Sequence, residues 1–245
     1  SLTNASAVSP QGNTSSQRQG TAASSASAQM THSVLSEAEL AAREKALNLY
    51  NQGVRHFLGD GVPRSPSEAA KLFLQAAELG NPGAQHNLGV LYLTGNGVAT
   101  NDVSEAANWF RKSAERGLAE SQLKLAGLYA AGLGVTQDLN QAVQWVRKAA
   151  DQGHAEAEYN LATMYASGKG VTQDIAHAVQ WYRKAAEKGQ VTAQSNLGVL
   201  YARGQGVPQD AKEAVQWFRK AAEQGHPYAQ YNLARFYVEG KVVEQ

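Results

Sequence analysis

Four tryptophans stand at a constant interval of 36 residues, at Trp109, Trp145, Trp181 and Trp217. They mark a segment that is copied with little change from residue 48 to residue 245. A period of about 20 to 50 residues is typical of a stacked array, in which each small unit buries its apolar face against its neighbours. An array presents a long surface rather than one deep pocket, so the sequence predicts a function that depends on that surface.

Each copy consists of a first helix (helix A), a glycine-containing loop, a second helix (helix B) and a closing glycine. Glycine just past a helix adopts the left-handed conformation that ends the helix. These glycines are Gly59, Gly95, Gly132, Gly168, Gly204 and Gly240 after helix A, and Gly80, Gly117, Gly153, Gly189 and Gly225 after helix B. Helix B starts with Ser or Asp followed three residues later by Glu or Gln, which predicts a capping box. The pairs are Ser65 with Glu68, Asp102 with Glu105, Asp138 with Gln141 and Asp210 with Glu213, whereas Asp174 has His177 in that place.

The apolar residues of both helices recur at helical spacing. Helix B carries alanines, a valine, a tryptophan and a phenylalanine on one wide stripe, and helix A carries a leucine and a tyrosine, such as Leu197 and Tyr201. We therefore predict an all-α fold, a right-handed α/α solenoid of about five and a half helix-turn-helix units. The predicted units are 48–83, 84–120, 121–156, 157–192 and 193–228, followed by a half unit, 229–245, that is either a natural cap or a truncation.

The first 33 residues differ in composition from the array. Ser, Thr, Ala, Gln, Gly and Asn dominate there, so this stretch cannot bury enough apolar surface to offset its ordering entropy, and we predict a disordered tail or linker. The solenoid domain is predicted to cover residues 34–245. Its first helix begins after Ser36, which forms a capping box with Glu39, and is expected to reach about Leu58, longer than later helices because it shields the open end of the stack.

The repeated pattern resembles a known family. It reads Ala-x-x-x-Leu-Gly-x-x-Tyr-x-x-Gly-x-Gly-Val, then Asp, then Ala-x-x-Trp-Phe/Tyr-Arg-Lys-Ala-Ala-x-x-Gly. This is similar to the Sel-one-like repeats of bacterial type, which are related to the tetratricopeptide repeats. The resemblance implies an α/α solenoid that scaffolds protein–protein contacts, commonly in bacterial signalling, envelope or host-interaction proteins. The first unit departs from it at His56 and Leu72, as a capping repeat would.

Composition excludes several classes of function. The net charge is +1, with 22 basic and 21 acidic residues, so the strong basic excess of a nucleic-acid binder is missing. No apolar run approaches the roughly 20 residues of a membrane-spanning helix. The absence of cysteine excludes disulfides and thiolate metal sites and is compatible with any compartment. Because the chain starts at Ser1, either a leader was removed or the chain is a fragment, and a periplasmic or secreted location is favoured over the cytoplasm.

Three short motifs suggest chemistry but have a structural explanation in the repeat. Ser121 and Lys124 match Ser-x-x-Lys, yet Ser121 occupies an alanine position of the other units and no companion motif is present. Gly168-Lys169-Gly170 lacks the spacing of a phosphate loop. His154-Ala155-Glu156 is half of a zinc-deaminase motif without its cysteines. We predict no enzyme activity and assign no catalytic, cofactor-binding or metal-binding residue.

The surface that varies between units is the predicted partner site. With Leu88 at the centre of the buried face, positions 86 and 90 point to the opposite side of helix A, which is expected to line the concave face of the solenoid. An asparagine row runs beside them and either bonds a neighbouring repeat's backbone or binds a peptide. The predicted partner-binding residues are His86, Asn87, Tyr159, Asn160, Thr163, Asn196, Tyr231, Asn232 and Arg235.

The recurring Arg-Lys pairs of helix B have acidic residues four positions after each arginine, so they are interpreted as solvated ion pairs on the outer face. Three functions are compatible with these observations. The first is a non-catalytic scaffold, a monomer when alone, that binds a protein or peptide. The second is a secreted or envelope-facing effector, host-interaction or toxin-neutralising protein of the same fold. The third and least favoured is a hydrolase, for which we find no convergent polar cluster.

Overall fold

A computed structural model of the chain describes residues 35–240, and in this range the chain forms eleven α-helices and no strand. The predicted tail, 1–33, lies outside the described residues, as do residues 34 and 241–245. The helices are α1 (Glu37–Leu58), α2 (Pro66–Glu78), α3 (Pro82–Thr94), α4 (Val103–Glu115), α5 (Ala119–Ala131), α6 (Leu139–Asp151), α7 (Ala155–Ser167), α8 (Ile175–Glu187), α9 (Val191–Arg203), α10 (Ala211–Glu223) and α11 (Pro227–Val238). Each helix packs against the next one in the chain, which confirms the all-α solenoid. Odd-numbered helices are helix A and even-numbered helices are helix B.

The first helix begins and ends as predicted, whereas the other predicted capping boxes form only in part. At Ser36 both halves of the box are present, and α1 ends at Leu58 before Gly59 with φ 80°. At Asp102, Asp138 and Asp210 the carboxylate accepts backbone N–H bonds from the first turn, but among the described residues the reciprocal side-chain bond is missing. Ser65 behaves in the same way.

The reciprocal bond is missing because the capping residue's own N–H has another acceptor. It donates to the carbonyl oxygen at the tyrosine position of the preceding helix A. The bonds run from Ser65 to His56 (2.8 Å), Asp102 to Tyr92 (3.0 Å), Asp138 to Tyr129 (2.9 Å), Asp174 to Tyr165 (2.9 Å) and Asp210 to Tyr201 (3.0 Å). This bond connects the start of helix B to helix A of the same unit. Because the N–H of Asp174 is already bonded in this way, Asp174 can cap its helix although His177 stands where the other units have Glu or Gln.

The second glycine of each loop sets how closely consecutive units approach. A Cβ built on Gly134 would lie 2.4 Å from the carbonyl oxygen of Val103, the first residue of helix B in the preceding unit. The equivalent contacts are Gly97 with Pro66 (2.3 Å), Gly170 with Leu139 (2.7 Å) and Gly206 with Ile175 (2.8 Å). These glycines also have positive φ, so a side chain here is excluded both by backbone strain and by the neighbouring unit.

The core follows the predicted pattern in most units. Leu125, Leu161 and Leu197 of helix A are completely buried, as is one alanine position of helix B, occupied by Ala106, Ala142, Ala178 and Ala214. Where helix B has a phenylalanine, helix A has a glycine beneath the ring, as at Gly89 under Phe110, and a Cβ there would lie 2.7 Å from the ring. Trp109, Trp145 and Trp217 are buried, but Trp181 is only half-buried.

The interpretation of the Arg-Lys pairs as solvated ion pairs is wrong. Each arginine donates from Nη2 to the tyrosine hydroxyl of the next helix A: Arg111 to Tyr129 (3.3 Å), Arg147 to Tyr165 (2.5 Å), Arg183 to Tyr201, and Arg219 to Tyr237 (2.9 Å). Each lysine lies over the tryptophan three residues before it, at 3.8 to 4.2 Å from the ring centroid. Within the described residues, Arg111, Arg147 and Arg183 make no ion pair with the acid four residues on. The arginines therefore connect consecutive units, whereas each lysine covers a tryptophan of its own helix.

We predict that Gly134→Ala destabilises the array by about 2 kcal/mol more than Gly117→Ala, because of the clash with Val103. Both glycines have positive φ, 68° and 92°, so each substitution carries backbone strain of about 1 kcal/mol. Gly117 is the matched control, since nothing lies within 4 Å of its Cβ position. Urea denaturation of both variants measures the difference, and equal losses of stability would contradict the assigned contact.

Candidate functional site

The predicted partner-binding residues lie on one side of α3, α7, α9 and α11, which we call the helix A face. Thr163, Tyr231 and Arg235 are exposed, and Asn232 is buried with 6% of its surface exposed. The others are half-buried: His86, Asn87, Tyr159, Asn160 and Asn196.

The expectation that the row at position 86 points away from the packed core is wrong in the complete units. The His86 ring meets the edge of Phe110 at 5.5 Å, and the Tyr159 ring packs on Tyr182 at 5.9 Å. Ser195, in the same row, is 1% exposed. The reason is that helix A packs between two helices B, so its buried arc is wider than one centred on a single leucine. Tyr231 is 62% exposed because no helix follows α11 within the described residues.

Three predicted residues meet around a hydroxyl that the sequence reasoning missed. The Tyr182 hydroxyl lies 3.1 Å from Thr163 Oγ1 and also bonds the side chain of Asn196, while its ring packs on Tyr159. Burial raises the pKa of Tyr182, so this phenol stays neutral at physiological pH. Its signal in the sequence is a hydroxyl at a helix B position that is phenylalanine at Phe73, Phe110 and Phe218.

A second polar group surrounds His86. Its Nδ1 lies 2.7 Å from Ser121 Oγ, Ser121 donates to Ser113 Oγ at 2.7 Å, and Ser113 donates to the carbonyl oxygen of Pro82 at 2.8 Å. Both serines are completely buried. Ser121 therefore has a structural role here, since a nucleophile must be reachable by substrate and near a base.

The asparagine row does not bond the backbone of neighbouring repeats. Asn232 donates to Tyr228 O on its own helix at 2.8 Å, and within residues 35–240 the side chains of Asn87 and Asn160 bond no other protein group. A glutamine row performs that task instead, donating to helix B carbonyl groups. The bonds are Gln85 to Ala77 (3.0 Å), Gln122 to Ala114 (3.1 Å), Gln194 to Ala186 (3.0 Å) and Gln230 to Ala222 (3.2 Å). The amides of Asn87 and Asn160 thus remain available to a ligand.

In one unit a glutamate replaces the glutamine of this row. Glu158 takes the glutamine's place, is almost completely buried, and bonds Lys188 Nζ at 2.5 Å. Lys188 also donates to Gly153 O at 2.7 Å. In the neighbouring units a glutamine takes the place of Lys188. One of these is Gln152, which donates to Gln122 at 2.8 Å. The exchange of an amide pair for an ion pair keeps the contact between helix A and the end of helix B in the same unit, so this pair belongs to the packing.

The other motifs that suggested chemistry are part of the packing as well. Gly168 and Gly170 both have positive φ in an inter-helix turn, where Gly170 lies against Leu139 of the preceding unit. Among residues 35–240, no three His, Asp or Glu side chains gather where they could hold a metal ion. The helices in this range are also too short or too polar for any of them to span a bilayer.

Comparison with known proteins places this repeat among characterised folds. The model of the Sel1 repeat matches six segments, residues 49–81, 82–118, 119–154, 155–190, 191–226 and 227–245. The chain is similar to the crystal structure of c5321, a protective antigen of uropathogenic Escherichia coli with an SLR fold, at 38% identity and TM-score 0.79. That match covers 82% of this chain and 43% of the antigen, so this chain spans less than half of the antigen's length.

A second solved structure, a Sel1 repeat protein from Oxalobacter formigenes, is 34% identical with a TM-score of 0.71. It is covered over 80% of its length by 83% of this chain. No curated protein matches the chain.

We predict that acidification weakens the fold through His86. Burial lowers the pKa of this imidazole from its ordinary value of 6.5, with smaller opposite effects of Glu120 (raising) and Lys124 (lowering). The unfolded chain then takes up a proton before the folded chain does, so the free energy of unfolding falls as the pH drops below about 6.5 and stops falling below the folded pKa. His86→Asn keeps a donor for Ser121 and removes the titration. Urea denaturation between pH 8 and pH 5 should show a flatter profile for this variant, and parallel profiles would contradict the prediction.

Proposed function

The chain belongs to the Sel1 repeat family, whose repeats are typical protein–protein interaction scaffolds, and we propose that it is a non-catalytic scaffold that binds a partner protein or peptide along the helix A face. The observation that carries this proposal is the pair of amides at Asn87 and Asn160. They recur at one repeat position, are half-buried, and have no protein partner among the described residues, whereas the neighbouring glutamines are bonded into the packing.

An asparagine side chain can form hydrogen bonds with the backbone of an extended peptide. Its carbonyl oxygen accepts a hydrogen bond and its NH₂ group donates one, so a single side chain can pair with both groups of a peptide bond. Because Asn87 and Asn160 are half-buried in packed helices, little side-chain entropy is lost when they bind. The group formed by Tyr159, Thr163, Tyr182 and Asn196 adds an amphipathic contact of the kind that carries binding energy at interfaces.

The opposite side of the array is less suited to this role. There the arginines of helix B donate to tyrosines of the next unit and the lysines lie over tryptophans. A ligand that recruited the arginines would have to break contacts between units, and one that recruited the lysines would have to uncover a tryptophan ring. At the far end, Arg235 pairs with Glu239 on its own helix at 3.2 Å and half of its side chain stays exposed, so it supplies a positive charge for an acidic group.

We predict that replacing Asn87 and Asn160 by alanine weakens partner binding at least tenfold, which corresponds to about 1.4 kcal/mol. The substitution removes two amides that are proposed to bond a peptide backbone, while neither amide is hydrogen-bonded to another protein group within residues 35–240. The partner is obtained by affinity capture with the full chain, and its dissociation constant is then measured by calorimetry for each variant.

The matched control is Gln144→Ala with Gln180→Ala, which removes two exposed amides from helix B. This control should bind like the parent protein. If the control loses the partner and the asparagine variant keeps it, the binding face is on helix B and the proposal fails.

A second proposal concerns location. The similarity to a protective antigen over 82% of this chain favours a protein that reaches the periplasm or the cell exterior. We predict that the natural gene product, expressed in its own host with all its codons, is recovered with periplasmic or secreted marker proteins on cell fractionation. Recovery with cytoplasmic markers alone would contradict this proposal and leave the scaffold role untouched.

A further inference from the structure

The hydrogen bonds around His86 determine which of its ring nitrogens carries the proton. The Pro82 carbonyl oxygen can only accept, so the hydroxyl hydrogen of Ser113 is used on it. Ser113 Oγ then accepts the hydrogen of Ser121. With its only hydrogen used, Ser121 Oγ can only accept from His86, so Nδ1 must be the donor. The neutral ring is therefore protonated on Nδ1 and carries its lone pair on Nε2.

This relay exists at one junction of the array. Ser113 stands where Ala76, Ala149, Ala185 and Ala221 stand in the other units, and Ser121 stands where Ala84, Ala157, Ala193 and Ala229 stand. Two buried hydroxyls cost free energy unless both are hydrogen-bonded, and alanine would avoid that cost. Only at this junction does the relay end on an imidazole, since the same row has Leu123, Tyr159 and Ser195 in the following units.

The second ring nitrogen faces a different environment. Nε2 has no protein partner among the described residues, and it is not one of their buried unpaired polar atoms, so it is reachable by solvent. His86 directly precedes Asn87 in α3, and both side chains are half-buried. The charged groups that act on the ring come from α5, with Glu120 and Lys124 opposing each other, while α4 contributes Phe110 and Ser113.

We propose that Ser113 and Ser121 hold His86 in the Nδ1–H tautomer so that Nε2 serves as a hydrogen-bond acceptor for an N–H or O–H donor of the bound peptide. The inference rests on the proposed function, and it names the chemistry that the partner presents at this junction. Asn87 is the next residue of α3, so this turn of the helix offers one fixed acceptor and one adaptable amide to the polar groups of a peptide. Protonation of Nε2 at low pH would convert the acceptor into a donor and abolish the match.

The tautomer is tested on the free protein. Long-range proton–nitrogen correlation spectra of the ¹⁵N-labelled full chain near pH 7.5 report which nitrogen of each histidine is protonated, and His86→Asn identifies the His86 signals by their loss. We expect a protonated Nδ1 and an unprotonated Nε2. Ser113→Ala, which restores the alanine of the other units, frees the Ser121 hydrogen for Nδ1 and should shift the ring toward the Nε2–H form. A wild-type ring protonated on Nε2, or a Ser113→Ala variant without any shift, would overturn the inference.

The acceptor role is tested with peptides selected from a random display library on the immobilised full chain. We expect His86→Phe, which keeps a ring but removes the acceptor, to weaken binding of the selected peptides roughly tenfold. His86→Gln, whose amide oxygen can reach the place of Nε2, should restore part of the loss. Peptides that bind the His86→Phe variant as tightly as the parent protein would overturn the inference alone, whereas a library that yields no binder would contradict the proposed function as well.

Discussion

The contact between the second glycine of each loop and the first turn of the preceding helix B sets the spacing of the whole array. Gly97, Gly134, Gly170 and Gly206 bring one unit so close to the last that no side chain fits between them. At this spacing the leucines, alanines and aromatic rings of consecutive helices can interlock, as Gly89 does beneath Phe110. Because the same contact is made at successive junctions, stability grows as a sum over neighbouring units rather than from a single core.

Close stacking also decides which surfaces are occupied. On helix B, each arginine bonds the tyrosine of the next unit and so connects two units, while each lysine covers a tryptophan of its own helix. On helix A, glutamine donates to helix B, whereas Asn87 and Asn160 bond no protein group in the described part of the chain. The asparagine position recurs in most units, whereas the row at position 86 differs between them, with His86, Leu123, Tyr159 and Ser195. Differences of this kind are what selective recognition of a partner requires.

Much of this fold could be predicted from the sequence because the units can be compared with one another within the chain, and the positions that stay the same identify the packing residues. The 36-residue period, the glycines after each helix and the Ser36 capping box all correspond to the structure. Other features depend on atoms or neighbours that sequence spacing does not show. The acceptor for the Asp138 amide is a backbone carbonyl, and the partner of Arg147 is Tyr165 in the next unit rather than the acid four residues away. The row at position 86 was predicted to point away from the core, but helix A packs against two helices, so this row is partly buried. The Tyr182 hydroxyl was missed because it lies at a core position of helix B.

We propose that packing occupies the helix B side and leaves the helix A face for a partner. Hydrogen–deuterium exchange of the full chain, with and without its captured partner, tests this most directly because it needs no substitution. We expect binding to slow exchange in peptides covering α3 and α7, which carry Asn87 and Asn160, and to leave exchange in α6 and α10 unchanged. Slower exchange confined to α6 and α10, with α3 and α7 unaffected, would show that the partner binds the other side of the array.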